Sequence, residues 1–195
     1  MAPMHKDVDG IVLAGGPGRR LGRSKAAVVL GDTTLVERAV HSLAERCRRV
    51  VVVSRPSVPL PPLDCPVVHD RPGPDAPLVA VATGLAAVDA GAALVLGCDL
   101  PFAGPVLDDL LAAPAGLAVV ATDGGRPQPL CARYPRTRAL AACERLLAVD
   151  ALPARGLLDA VGARGVEAAP PGLLNVNTPK DLARARELLA AGPGA

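Results

Sequence analysis

Apolar residues along this chain fall into short runs, separated by clusters of glycine, proline and charge. Residues 8–13 are a mostly apolar run that stops at a glycine-rich turn, which predicts a first strand. Over residues 33–47 the apolar positions Val36, Val40, Leu43 and Cys47 fall on one face of a helix. The unbroken valine run 50–53 predicts a strand buried on both faces. A short strand at 67–69 follows a proline-rich stretch, 55–66, read as a loop within one domain. The pattern continues with a helix at 78–90, a strand at 92–98 and a short helix at 105–112. Strands at 117–122 and 129–134 and a helix at 137–147 come next. The last helix has the clearest start. Thr178 suits an N-cap, Pro179 the first helical position and Asp181 the third residue after the cap. Leu182, Ala185, Leu188 and Leu189 then form its apolar stripe, and residues 191–195 are expected to fray. Strands alternating with helices imply an α/β chain, a mostly parallel sheet covered on both faces in three layers, α/β/α. In such a sheet ligands sit beyond the carboxyl ends of the strands.

Composition narrows the function. The 195 residues are half apolar, so a core can form despite 21 prolines and 20 glycines, and one domain over 1–195 is expected. A net charge of +2 gives no general pull toward nucleic acid. Phe102 and Tyr134 are the only aromatics, which excludes a base-stacking platform for single strands. No apolar run approaches the ~20 residues of a membrane span, and residues 1–10 lack a signal-peptide pattern, so neither nucleic acid nor membrane is an expected partner and a cytoplasmic location is expected. The five cysteines are odd in number and scattered, and read as small buried apolar residues rather than disulfides or a metal site.

Chemistry concentrates at predicted strand ends. Directly after the first strand runs Leu13-Ala14-Gly15-Gly16-Pro17-Gly18-Arg19-Arg20-Leu21-Gly22-Arg23-Ser24-Lys25. Glycines let backbone N–H groups approach a ligand, and four cationic side chains add positive charge, a combination suited to a polyphosphate. The loop has neither the Gly-Lys pair of a P-loop nor the third glycine of a dinucleotide fingerprint in register. Asp99 follows an apolar strand and is placed either to take Mg²⁺ or to cap a helix. His69-Asp70 ends another strand. Alternation puts Asn175 and Asn177 on one face of a predicted strand end, where neutral amides can donate to an anion. They can equally be turn asparagines bonding their own backbone.

The pattern Leu-Ala-Gly-Gly-x-Gly-x-Arg-Leu-Gly-x-x-Lys resembles the signature loop of nucleotidylyltransferases with a Rossmann-like, GT-A-like fold. Its double glycine resembles the molybdenum cofactor guanylyltransferases (MobA-type). The segments Asp99-Leu100-Pro101-Phe102, Pro129-Leu130-Cys131-Ala132-Arg133-Tyr134 and Asn175-Val176-Asn177-Thr178-Pro179 are similar to further motifs of that family. Where the family usually has a Gly-Pro-Leu-Ala-Gly-like turn, this chain reads Ala76-Pro77-Leu78-Val79-Ala80. The resemblance implies transfer of GMP from GTP to molybdopterin with release of pyrophosphate. It implies nucleotide contacts at Leu13, Ala14, Gly15, Gly16 and Asp70, catalytic roles for Arg20, Lys25 and Asp99, and Mg²⁺ on Asp99. Gln128, Asn175 and Asn177 would meet the acceptor, and transient contact with molybdenum insertion proteins and molybdoenzymes would follow. Three other readings stay open: use of CTP or another phosphate acceptor, a non-catalytic nucleotide-binding module, and a maturation partner acting by protein contact.

Overall fold

A computed structural model of the chain describes residues 7–16, 18–22, 24–70 and 76–192. Seven strands form one sheet in the order β5-β4-β1-β6-β8-β7-β9. They are β1 (Val8–Leu13), β4 (Val50–Ser54), β5 (Val67–His69), β6 (Ala92–Gly97), β7 (Val119–Asp123), β8 (Arg126–Pro135) and β9 (Arg164–Glu167). A separate two-stranded hairpin pairs β2 (Val29–Leu30) with β3 (Thr33–Thr34). The helices are α1 (Leu35–Ala44), α2 (Pro77–Ala87), α3 (Gly104–Ala112), α4 (Arg136–Leu147), α5 (Arg155–Ala160) and α6 (Pro179–Ala191).

Alternation along the central strands makes the layers. Val12, Val52, Leu94 and Leu96 face the core shared with α1 and α3. Their neighbours Ile11, Val51, Val53 and Val95 face the opposite core, with residues of α2, α4 and α5. Both faces of β1, β4 and β6 are therefore dry, as the all-valine run predicts. Helix α2 packs close to the sheet at Gly84, where a Cβ would lie 2.5 Å from Cγ2 of Ile11.

Only β8 runs against the other strands of this sheet. Gly124 and Gly125 join it to β7 with φ of 54° and 74°, the paired positive values of a tight hairpin turn. A two-residue turn can only return the chain antiparallel, whereas each parallel neighbour needs a crossover. The register between β7 and β8 then jumps from Val120–Ala132 to Ala121–Gln128, which leaves residues 129–131 as a bulge. The buried Tyr134 hydroxyl donates to Pro129 O at 2.9 Å and pins it.

The helix predicted over 33–47 is shorter. Thr33 and Thr34 belong to the small hairpin, and Thr34 caps α1 in a reciprocal box with Glu37. Cys47 lies beyond the helix end yet stays in the core. The helix expected over 78–90 stops at Ala87, and Ala191, expected in a frayed tail, closes α6; residues 193–195 of that expected tail lie outside the described residues. The segments α5 and β9 carried no usable periodicity. Strand β9 has one apolar residue, Val166, and exists by pairing along the sheet edge with β7.

Candidate active site

The loop after β1 is set by backbone ties to its two neighbours. Ala14 N donates to Val53 O at 2.8 Å, and Cys98 N donates to Leu13 O at 3.1 Å, so the loop starts between the ends of β4 and β6. Gly18 and Gly22, both left-handed, bracket a single 3₁₀ turn at Arg19–Leu21. A second 3₁₀ turn, Lys25–Ala27, carries Lys25 back under the glycines. The lysine stem passes alongside Gly16, its Cδ 3.5 Å from where a Cβ would stand there.

These elements enclose a cleft of about 230 Å³ at the carboxyl end of the sheet. Leu13, Gly15, Gly16, Lys25, Asp70 and Asp99, all expected site residues, line it. Ala14 is fully buried behind them. Lys25 Nζ donates to Asp99 Oδ2 at 2.8 Å, with side-chain exposures of 21% and 19%, so both groups remain reachable from solvent. The other carboxylate oxygen, Oδ1, occupies space that a Gly97 Cβ would enter, at 2.8 Å. Asp70 N is held by Ser54 O, and its carboxylate pairs with Arg55 Nε at 3.6 Å. Among the described residues, no three His, Cys, Asp or Glu side chains are grouped to hold a metal.

On the side expected to meet the acceptor, Asn175 and Asn177 lie on a segment that is not a strand, which corrects the expected strand end. Val176 N donates to Asp99 O at 2.9 Å, and Val176 is buried on the far side with Leu30 and Leu35. Both amides consequently emerge together, and Asn177 Nδ2 donates to Asn175 Oδ1 at 2.7 Å. Lys25 Nζ also donates to Asn177 Oδ1, which joins this segment to the cleft. Asp181 fastens the segment from below by accepting from the backbone N–H groups of Asn177 and Thr178. Asn175 forms part of the wall of a second cavity of about 560 Å³, with Asp123, Pro171, Arg184 and Leu188. Glu167 closes the hairpin beside it, accepting from the Thr122 hydroxyl at 2.5 Å and from Gly124 N at 2.6 Å. Those bonds, the hydroxyl first, hold the Glu167 carboxyl below its ordinary range.

Arg20 sits exposed on the first turn and is not among the residues lining either cavity. Arg23 and the Arg19 side chain lie outside the described residues. Gln128 lies half-buried beside the β8 bulge, and Leu130 within that bulge reaches the cleft. The altered turn at Ala76 keeps its place: Ala76 and Pro77 line the cleft, and the φ of −135° at Ala76 is ordinary extended backbone that needs no glycine. Arg55 was not anticipated, because it follows β4 without any motif. The Asp70 it pairs with was expected, but not its guanidinium partner. The cysteine beside the site is inert: burial, then the charge of Asp99, pushes the Cys98 thiol far above its ordinary value. All five cysteines are free; Cys47, Cys98, Cys131 and Cys143 are buried as expected, whereas Cys65 is only half-buried.

The family model for the MobA-like NTP transferase domain matches residues 10–164. A Mycobacterium avium protein named probable molybdenum cofactor guanylyltransferase is 39% identical over 182 residues, covering 89% of this chain and 92% of its own. The Mycobacterium tuberculosis protein of the same name is 38% identical over 187 residues, covering 91% and 92%. Among solved structures, molybdopterin-guanine dinucleotide biosynthesis protein A from Archaeoglobus fulgidus has a TM-score of 0.76 at 22% identity, covering 94% of this chain and 100% of that one. The 2-C-methyl-D-erythritol 4-phosphate cytidylyltransferase from Thermus thermophilus has a TM-score of 0.71 at 21% identity, covering 94% and 98%, and so shares the fold.

Proposed function

The chain belongs to the MobA-like NTP transferase family, and from that premise we propose that it transfers the GMP part of GTP to the terminal phosphate of molybdopterin, releasing pyrophosphate. The observation that carries this reading is the Lys25 ammonium, which bonds both the strand-end carboxylate Asp99 and the amide of Asn177. One cation thus stands between a nucleotide cleft and an acceptor wall. An acceptor phosphate oxygen attacks the α-phosphorus of GTP. The bond from that phosphorus to the bridging oxygen breaks, and pyrophosphate leaves with the electron pair.

A phosphate monoester is already mostly ionised at neutral pH, its second pKa being about 6, so no protein base is required. The protein's work is positioning and charge neutralisation. The backbone of Leu13, Ala14 and Gly15 takes the guanine and ribose end, with Asp70 beside it. Lys25 offsets charge building on the phosphates, and the exposed Arg20 is assigned to the outgoing pyrophosphate. Asp99 would hold Mg²⁺. A carboxylate with one oxygen not engaged by Lys25 fits an ion that keeps several waters and arrives on nucleotide phosphates. When bound, that ion supplies charge neutralisation at phosphate oxygens. Asn175 and Gln128 face the acceptor, and release to molybdenum insertion proteins or molybdoenzymes would follow. Among the described residues no helix is long and apolar enough to cross a membrane, and we place the reaction in the cytoplasm.

The test is calorimetry of GTP, CTP, ATP and UTP with and without Mg²⁺, followed by pyrophosphate release with molybdopterin. GTP should bind best, and more weakly without Mg²⁺ or in Asp99→Ala. Preference for CTP would overturn the base assignment, and binding of GTP without turnover would overturn the enzyme.

A further inference from the structure

Lysine has three N–H donors and no acceptor, so whatever meets its ammonium must turn an oxygen toward it. At Lys25 that rule fixes the direction of a hydrogen-bond chain leading out of the nucleotide cleft. Asn177 presents Oδ1 to Lys25, which leaves its Nδ2 to point onward and donate to Asn175 Oδ1 at 2.7 Å. Asn175 then has its oxygen engaged, and among the described residues its Nδ2 has no acceptor. Asn175 lines the second cavity together with Arg184 and Asp123, and with its oxygen engaged the amide nitrogen is the polar atom left to it there. We propose that Asn177 is a positioning residue that does not itself meet the acceptor. It passes the donor polarity of Lys25 to Asn175, so that Asn175 offers N–H rather than C=O to an anionic acceptor. The inference rests on the guanylyltransferase reading for the identity of that acceptor, while the relay rests on the bonds alone.

An alternative, purely structural role for Asn177 is already filled by other atoms. The segment is held through Val176 N to Asp99 O, and through Asp181 to the backbone N–H groups of Asn177 and Thr178. None of these bonds uses the Asn177 side chain. The third N–H of Lys25 remains for a nucleotide phosphate, so the relay and phosphate binding need not compete. An aspartate at 177 could still accept from Lys25 but could donate nothing, and Asn175 would lose its set orientation.

The experiment uses the full chain with GTP and molybdopterin, reading pyrophosphate release and, separately, GTP affinity by calorimetry. Asn177→Asp should raise the KM for molybdopterin about tenfold while leaving the GTP Kd within about twofold. In an Asn175→Ala background the same change should add less than about twofold, because its effect passes through Asn175. Penalties that multiply across the two sites, or a loss of GTP affinity with the molybdopterin KM unchanged, would overturn the relay. A second readout needs no turnover. In ¹⁵N-labelled protein, Lys25→Met should shift the side-chain amide signals of both Asn177 and Asn175, and unchanged signals would also overturn it. If wild type fails to turn over while those signals shift, the substrate assignment falls and the relay stands.

Discussion

The amino end of β1 and the carboxyl end of its neighbour β6 each hold an aspartate paired with a cation, and they are built for different purposes. At the amino end of β1, Asp9 is fully buried. It receives Nε and Nη2 of Arg48 at 3.1 Å each and the backbone N–H groups of Asp89 and Ala90 at 3.1 and 3.0 Å. Four donors saturate that carboxylate. Beyond the carboxyl end, Asp99 takes one donor from Lys25 and stays partly exposed in a cleft. Similar charges and distances thus yield architecture in one case and a candidate reaction site in the other. What separates them is whether the donors around the carboxylate are complete. A saturated buried carboxylate has nothing to offer a ligand, and removing it strands the donors around it. An unsaturated pair in a cleft can exchange partners with phosphates at little structural cost.

The strongest test of the contrast is loss of charge at the carboxyl end. Lys25→Ala or Asp99→Ala should lower turnover by about 1,000-fold or more, since each removes charge stabilisation where it develops. Melting temperature should change little, because both side chains are part-exposed. A variant with near wild-type pyrophosphate release would collapse the distinction. At the amino end the outcome should invert. Asp9→Ala should cost about 2 kcal/mol of stability by leaving the backbone N–H groups of Asp89 and Ala90 without their acceptor, while Arg48 keeps Asp89 as a partner. Denaturant titration would measure it, and kcat/KM of the folded protein should stay within about twofold.

A subtler probe leaves both charges in place. Gly97→Ala inserts a methyl 2.8 Å from Asp99 Oδ1 and must displace the carboxylate. About a tenfold fall in kcat/KM is expected, with GTP binding also weakened. An unchanged rate would mean that the position of Oδ1 is unimportant.

The smallest effect concerns Asp181, which fastens the acceptor segment. The Thr178 hydroxyl, foremost, and the N–H groups of Asn177 and Thr178 hold its carboxyl below the ordinary 3.8. A lowered folded value means that its contribution is complete above the ordinary value and fades as pH falls through the folded one. Thermal melts of wild type and Asp181→Ala should therefore differ at neutral pH and converge as the pH falls well below 3.8. A difference independent of pH would assign the effect to packing.

Much of the frame was legible along the chain because its signals are local. The valines of β4 alternate between two cores, the Thr178–Asp181 box starts α6, and the glycine loop follows β1 as its spacing predicts. The hairpin that reverses β8 was not read along the chain, and residues 129–131, read as plain strand, form a bulge. Strand β9 was invisible, since a polar edge strand exists only through its neighbour. In the site, motif resemblance found Lys25, Asp70, Asp99 and the asparagine pair. Arg55 has no motif, and the exposure of Arg20 depends on how two left-handed glycines turn the loop.

Periodicity, capping and turn chemistry act over a few residues, so the order of the elements and the candidate loops could be read without any fold. Which of those loops meet could not. Lys25 and Asn177 are 152 residues apart in sequence and share a hydrogen bond. They meet because β1 and β6 are neighbours in the sheet and Asp99, at the end of β6, ties the Asn175–Asn177 segment by its carbonyl. The direction of the amides was likewise decided in three dimensions, since a donor-only lysine fixes an amide only once it stands beside it.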